Sequence, residues 1–472
     1  MATVAPGSAR PGRGTELALL LVALGVSVYS HAQVAWSMAG ALPADFARLS
    51  AGFAALVIVL HFVLRLRAPY ADPVILPVAV LLNGMGLAMI YRLSLRYKES
   101  DPQYANIASR QLLWTAVAIV AAVLVLGFLR DHRTLRRFTY TAMFAGLVAL
   151  VAPLAPGIGH TEGGARIWIR LGSMSFQPAE IAKILLAVFF AGYLVTRRDT
   201  LALAGKRILG LQLPRMRDLG PILAAWGVSL AVLVFQRDLG TSLLFFGLFV
   251  AMLYIATDRP SWIVLGLGLF AGGVAIAYSA FDHVRNRFDI WLAPFEQANF
   301  DRWGGSQQLV DGLFGLANGG LFGTGWGRGR PDVTVLAFSD FIVTSLGEEL
   351  GLTGLLAVLL CFLVLVERGL RTAIGVRDGF GKLLASGLAF AIALQVFTVV
   401  GGVTRLIPLT GLTTPFLAAG GSSLVANWMI VALLLRVSDG ARRPPPRTNE
   451  IDLAPILAAE AAEAGAGRAR RA

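Results

Sequence analysis

The sequence predicts an all-α, polytopic membrane protein of about twelve transmembrane helices. Three observations predict it. Hydrophobic residues fill 56% of the 472 positions and charged residues only 15%, whereas soluble domains carry about a quarter charged residues. Mean hydropathy is +0.69. The apolar residues fall in repeated runs of roughly 20, long enough to cross a bilayer core, and the cations gather in the short segments between the runs.

Residues 1–15 are polar, basic and rich in Gly and Pro. They read as a cytoplasmic arm and not as a secretory signal, because the apolar run from Leu17 continues to Met38 without a small-residue cleavage site. Two helices follow, near 16–38 and 48–66. A transmembrane core occupies 72–437. Its spans are expected near 73–93, 112–129, 138–154 and 177–196. A close pair follows at 219–236 and 238–256, then 262–281. A large loop, 282–340, separates these from spans near 341–366, 383–403 and 415–437. The tail 438–472 is of low complexity, with Pro444-Pro445-Pro446 and an Ala/Glu/Gly/Arg stretch, and reads as disordered and cytoplasmic.

The net charge of +13 would suggest nucleic acid in a soluble chain. Here it marks topology and anionic headgroups, and no nucleic-acid partner is expected. Cations crowd four loops: Arg130 to Arg137, Arg197 to Arg217, Arg368 to Lys382, and Arg442-Arg443. All four fall on the cytoplasmic side if both termini are cytoplasmic. The segment from Arg92 to Arg110 dissents, being basic and on the opposite side. Cys361 is the single cysteine, so neither an internal disulfide nor a cysteine metal site is expected. The histidines show no metal-ligand spacing, and no Ser-His-Asp arrangement emerges.

This orientation gathers the remaining polar groups of the spans at the external side. Asp340, in Ser339-Asp340-Phe341-Ile342, is a carboxylate at the mouth of a membrane helix, costly to desolvate and so a candidate for function. Gln177, Glu180 and Lys183 open the sixth span. Glu180 and Lys183 share a helix face, either as an internal ion pair or as a cation aimed at an anionic headgroup. Gln236, Arg237 and Asp238 make a tight turn, and Arg405 and Thr410 lie in the last external loop. Glu348 and Glu349, about 12 Å deeper at 1.5 Å per residue, either hydrogen-bond across helices or cap a helix break. The run Gly319–Gly329 offers either exposed N–H groups to a diphosphate or sugar or a re-entrant loop.

The motifs together resemble the SEDS family (shape, elongation, division and sporulation: RodA, FtsW, SpoVE). They are Gly164-Ala165-Arg166-Ile167-Trp168-Ile169, Gln177-Pro178-Ala179-Glu180, Asp238-Leu239-Gly240-Thr241-Ser242, Gly319-Gly320-Leu321-Phe322-Gly323, Ser339-Asp340-Phe341-Ile342 with Gly347-Glu348-Glu349, and Leu412-Thr413-Thr414-Pro415 with Gly420-Gly421-Ser422-Ser423. Residues 401–411 look most like the actinobacterial RodA-type members, which also carry two helices before a ten-helix core.

The resemblance implies a peptidoglycan glycosyltransferase that polymerises lipid II outside the membrane, in cell elongation and shape maintenance. A class B penicillin-binding transpeptidase is implied as partner. It implies Asp340 as the essential carboxylate, and Glu180 with Lys183 in the binding motif. Chemically, Asp340 would take the proton of the attacking sugar hydroxyl. Lys183, Arg166, Arg405 or a divalent cation (Mg²⁺ or Mn²⁺) would meet the leaving diphosphate, with Gln177 and Asp238 beside them. A lipid II flippase and a non-catalytic scaffold are the competing readings. The large loop departs from the family pattern. Trp291-Leu292-Ala293-Pro294 lacks an acid common in the family, Ser306-Gln307-Gln308 replaces Gly-Tyr-Gln, and Ala418-Ala419-Gly420-Gly421 replaces Ser-Tyr-Gly-Gly.

Overall fold

A computed structural model describes residues 12–100, 104–162, 165–172, 174–202, 207–208, 211–212, 220–302 and 304–444. Most of the basic arm, Gly164, Lys206, Arg215, Arg217 and the tail beyond 444 lie outside them.

The fold is a helical bundle. Its helices are α1 (Arg13–Ala39), α2 (Phe46–Arg67), α3 (Ile75–Ser100), α4 (Ile107–Phe128), α5 (Thr139–Val151), α6 (Pro178–Ala202), α7 (Gly220–Gln236), α8 (Leu239–Thr257) and α9 (Ser261–Ala280). The large loop holds α10 (Asp282–Leu292), α11 (Gln297–Phe300) and α12 (Gln307–Gly319). The bundle closes with α13 (Ile342–Gly375), α14 (Gly379–Val403) and α15 (Gly421–Arg442). Eleven segments are long and apolar enough to cross a membrane. The twelfth expected span is α7, apolar but only 17 residues long.

Sheet is minor. β1 (Gly159–Glu162), β2 (Ala165–Leu171) and β3 (Met174–Phe176) form one antiparallel sheet in the loop before α6. The last span begins at Gly421 and not near 415, because Phe416 takes a left-handed φ of 63° and turns the chain.

Apolar composition alone does not position the helices, since lipid is as apolar as the core. Buried polar contacts do so at one end of the bundle. Arg13 pairs with Glu16 and donates to the Ala71 carbonyl, and His61 meets Glu16 at 2.7 Å. The backbone N–H of Asp72 donates to Ser438 Oγ at 2.7 Å, and Arg442 pairs with Asp72. These contacts tie α1 and α2 to the starts and ends of α3 and α15. α15 runs through the centre and is buried along most of its length.

The opposite end gathers the last turns of α3 and α14, the first turns of α6, α8 and α15, and the loop that leads into α13. There α13 breaks at Gly351, whose φ of 71° and ψ of −177° are non-helical. A Cβ on Gly351 would come within 2.2 Å of the Gly323 nitrogen, so only glycine fits both the conformation and the contact. The Gly-rich run wraps this break. Thr324 and Gly325 donate backbone N–H groups to the Glu348 and Glu349 carbonyls at 3.0 and 2.9 Å. Leu352 and Thr353 donate back to Gly320 and Leu321 at 2.9 and 3.1 Å.

The two glutamates serve the same knot. Glu348 accepts from Asn318 at 3.0 Å and from the Arg330 N–H at 2.8 Å. Glu349 accepts from the Gly327 N–H at 2.9 Å and from Arg92 at 2.6 Å. They hydrogen-bond across helices, to Asn318 on α12 and Arg92 on α3, one of the two readings open from sequence, and they brace the run that wraps the break. The N–H groups of Thr324, Gly325, Gly327 and Arg330 are therefore engaged, which corrects the expectation that this run offers them to a diphosphate.

Candidate functional site

The site is built on Asp340, one turn before α13. Its carboxyl is half-buried. Burial pushes its pKa up to about 6, against the lowering effect of the Asp340 and Phe341 N–H groups and of Arg287. A carboxylate poised there is ionised at neutral pH yet basic enough to receive a proton.

Arg287, on α10, was not foreseen from sequence. Its guanidinium donates to the Leu409 carbonyl in the loop before α15. Burial pulls its pKa below the ordinary arginine value, and the carboxylates of Asp238 and then Asp340 raise it. It stays charged, as arginine does in proteins. Arg287 thus feels two carboxylates from distant parts of the chain.

Asp238 is already occupied as a helix cap. It accepts from the Thr241 N–H at 2.9 Å and the Thr241 hydroxyl at 2.6 Å, the usual way to satisfy orphan N–H groups at a helix start. Burial raises its pKa, while Thr241 and Arg287 oppose the rise. As an anion on a cap it does not bind a diphosphate directly. Its contribution is to hold α8 and the field around Arg287.

Glu180 and Lys183 form an ion pair at 2.8 Å, and Lys183 also donates to Gln395 Oε1 at 2.8 Å. Gln395 in turn donates to the Thr413 carbonyl at 2.9 Å. The backbone N–H of Gln177 donates to Ser422 Oγ at 3.1 Å. Motifs spaced across the sequence therefore converge on the start of α6. Lys183 is only 1% exposed, so two of its three donors are spent inside the protein.

Two expected diphosphate ligands are engaged with backbone carbonyls, as Arg287 is. Arg405 donates to the Trp291 and Leu292 carbonyls at 2.8 and 2.7 Å, while Trp291 Nε1 donates to the Arg405 carbonyl at 3.1 Å. Orphan carbonyls at the end of α10 draw the guanidinium to them. Arg405 thereby positions the helix that carries Arg287. Arg166, on β2, donates to the Ala155 carbonyl at 3.1 Å.

The altered segment around Ala293 is closed by its own contacts. Asn299 donates to the Ala293 carbonyl at 2.9 Å, and Ser306 Oγ to the Pro294 carbonyl at 2.5 Å. Among the described residues, no group of three or more His, Cys, Asp or Glu side chains could hold a metal ion.

Of the residues missed from sequence, Gln395 left a signal, a lone amide in an apolar span. Arg287 left none, because it sits among other charges in a polar loop.

Comparison with known proteins follows this geometry. RodA of Mycobacterium tuberculosis, named a peptidoglycan glycosyltransferase, is 49% identical over 448 residues, 95% of this chain and 94% of that protein. Stage V sporulation protein E of Bacillus subtilis is 34% identical, over 79% of this chain and 98% of its own length. The solved RodA of Thermus thermophilus superposes with a TM-score of 0.55 at 23% identity, covering 80% of this chain and 98% of its own. A chain from a peptidoglycan synthase complex superposes at 0.61, with 24% identity, over 79% of this chain and 98% of its own. The FtsW/RodA/SpoVE family of cell cycle proteins matches residues 73–443, and this multi-pass membrane protein belongs to that family.

Proposed function

We propose that this chain is a peptidoglycan glycosyltransferase that polymerises lipid II into glycan strands at the outer face of the cytoplasmic membrane, with a class B penicillin-binding transpeptidase as partner. The observation that carries the reading is the half-buried Asp340 carboxyl, pushed toward neutrality by burial and facing the charge of Arg287.

In the reaction, a sugar hydroxyl of one lipid-linked glycan attacks the anomeric carbon of another. A new glycosidic C–O bond forms, and the bond from that carbon to the diphosphate breaks, its electron pair leaving with the diphosphate. Asp340 takes the hydroxyl proton as the attack proceeds. Arg287 meets the growing negative charge of the leaving group, preorganised and partly desolvated. Arg287 replaces Arg405 and Arg166 in that role. Lys183 and Glu180 set the field from below. A Mg²⁺ or Mn²⁺ ion, where the reaction uses one, would supply positive charge to the leaving diphosphate beside Arg287.

Sidedness rests on charge. Arg133, Arg368 and Arg442, from three of the expected cytoplasmic loops, gather around Asp72 and Asp378 at the end of the bundle away from Asp340, which supports cytoplasmic termini and an external site. In the dissenting segment Arg96, Lys98 and Arg110 remain basic, but Arg92 is not a topological cation. It is buried and paired with Glu349 and Asp332, so it is a packing cation. Glu348 and Glu349 lie deeper than the other polar residues and, if free to line a passage, would favour a flippase. Their engagement with the Gly-rich run supports surface chemistry over passage through the bilayer.

The test is polymerisation of labelled lipid II by the purified full-length chain, with and without the transpeptidase. Glycan ladders that vanish in Asp340→Asn support the reading. Lipid II transfer across vesicles without ladders would reverse it.

A further inference from the structure

Away from Asp340, a cavity of about 820 Å³ opens between α1, α2, α3 and α4. That is the upper part of the range for ligand sites, roughly 300–1,000 Å³. Its origin is geometric. α1 packs along α3 and α2 along α4, while α1 and α2 touch each other little, so a wedge stays open between the pairs. Ser27 seals its floor against Gly84, where a Cβ would meet Ser27 Oγ at 1.9 Å.

The wall changes character with depth. Phe53, Leu56, Leu87 and Ala116 line the inner part. His31 lies higher, stacked on Tyr91 with ring centroids 4.3 Å apart, and Ser94 and Ser109 stand nearby. Arg48 and Lys98 stand at the mouth. Arg48 is 81% exposed, and its contact with Asp45 is long, at 3.9 Å, so it keeps most of its charge for a ligand. Asp45 also lines the mouth, so the lining is an apolar slot with hydroxyls and, at the membrane end, two cations and one carboxylate, a net positive charge.

We propose that this slot holds one anionic glycerophospholipid of the bilayer. Its acyl chain lies along Phe53 and Leu87, and its phosphate sits at Arg48 and Lys98. Charge complementarity chooses the occupant: Asp45 offsets only one of the two mouth cations, so a cationic or uncharged lipid leaves a net positive charge unmatched, and a polypeptide helix would leave the hydroxyl-lined throat unfilled. Two of the four helices that make the slot, α1 and α2, precede the family match, which begins at residue 73. The 95% coverage by mycobacterial RodA extends into them, so the slot is an addition to the common core.

The slot has a route to the reaction site. Tyr97 on α3, adjacent in sequence to Lys98, packs edge-on against Phe338 at 5.8 Å, and Tyr104 packs on the same ring at 5.0 Å. Phe338 lies two residues before Asp340. A lipid that steadies the end of α3 steadies the segment that carries the base.

The experiment reconstitutes the full-length chain in phosphatidylcholine nanodiscs doped with phosphatidylglycerol and weighs retained lipids by native mass spectrometry. The wild type is expected to enrich phosphatidylglycerol. Each cation near the surface contributes roughly fivefold, so Arg48→Glu with Lys98→Glu should lower the enrichment at least tenfold. Ala108→Phe, which narrows the slot without touching charge, should lower total retained lipid. Equal retention of the two lipids by the wild type, or enrichment unchanged in the charge reversal, overturns the proposal. A photo-crosslinker at Leu49 in native membranes adds a second readout. A lipid-sized adduct supports the proposal, and a protein-sized adduct overturns it. Neither readout depends on glycan polymerisation.

Discussion

Arg287 and Asp340 belong to opposite ends of the large loop, yet the charge of each is felt by the other. The loop folds back so that Arg287 on α10 comes within electrostatic reach of Asp340. That juxtaposition supplies a base and an anion partner at one place, and it sets the first predictions.

Asp340→Asn should lower lipid II polymerisation by about 10²–10⁴-fold, the usual worth of a general base. Thermal stability should stay level or rise, because a charge that burial disfavours has been removed. Rate and unfolding measured on the same preparation separate a chemical role from a structural one.

The pH profile should report the same group. Asp340 accepts a proton only when ionised, so the rate should rise with pH, pass half-maximum near the carboxyl value of about 6, and level above it. Removing Arg287 removes a cation that favours the carboxylate, so the half-maximum should move to higher pH. A profile unmoved in Arg287→Ala would separate the two residues.

Arg287→Ala should also cost about 10²–10³-fold in rate if its charge meets the leaving diphosphate, the scale seen for a preorganised electrostatic group. Arg287→Lys should recover part of it. Arg405→Ala should act more weakly, by loosening the end of α10. Initial rates at saturating lipid II distinguish the three.

The Arg92 and Glu349 pair, 2.6 Å apart with neither side chain exposed, should behave as a buried ion pair. Glu349→Leu or Arg92→Met alone should cost about 3–5 kcal/mol, because each leaves an unpaired buried charge. The double variant should recover stability relative to either single one, with Asp332 keeping part of the deficit. Thermal unfolding in one detergent checks this.

Chelation should slow polymerisation reversibly if the diphosphate brings a divalent ion. The ligand-free chain should bind Mg²⁺ weakly, since no three-ligand cluster occurs among the described residues. Calorimetry with and without lipid II compares the two states.

Much of this protein was legible in the chain. Apolar runs of bilayer length announced each long helix, because crossing a membrane demands length and composition and little else, although α3, α6 and α13 run on past their expected ends at 93, 196 and 366 to Ser100, Ala202 and Gly375. The expected starts at 177 and 238 and the expected end at 403 lie close to the edges of α6, α8 and α14. Asp340 stood out for the same reason, a charge where charge is expensive.

Tertiary structure decided what each charge is for. Arg92, Arg287 and Arg405 look alike in sequence, as basic residues near span ends. One is buried against Glu349, one feels two carboxylates, and one closes the end of a helix. A cation's role depends on which acceptors the fold brings within a few ångströms. Those acceptors, carbonyls as often as carboxylates, come from segments far away in the chain. The sequence by itself determined that this chain crosses the membrane and carries a costly carboxylate at a helix mouth. Packing alone decided which cation faces that carboxylate.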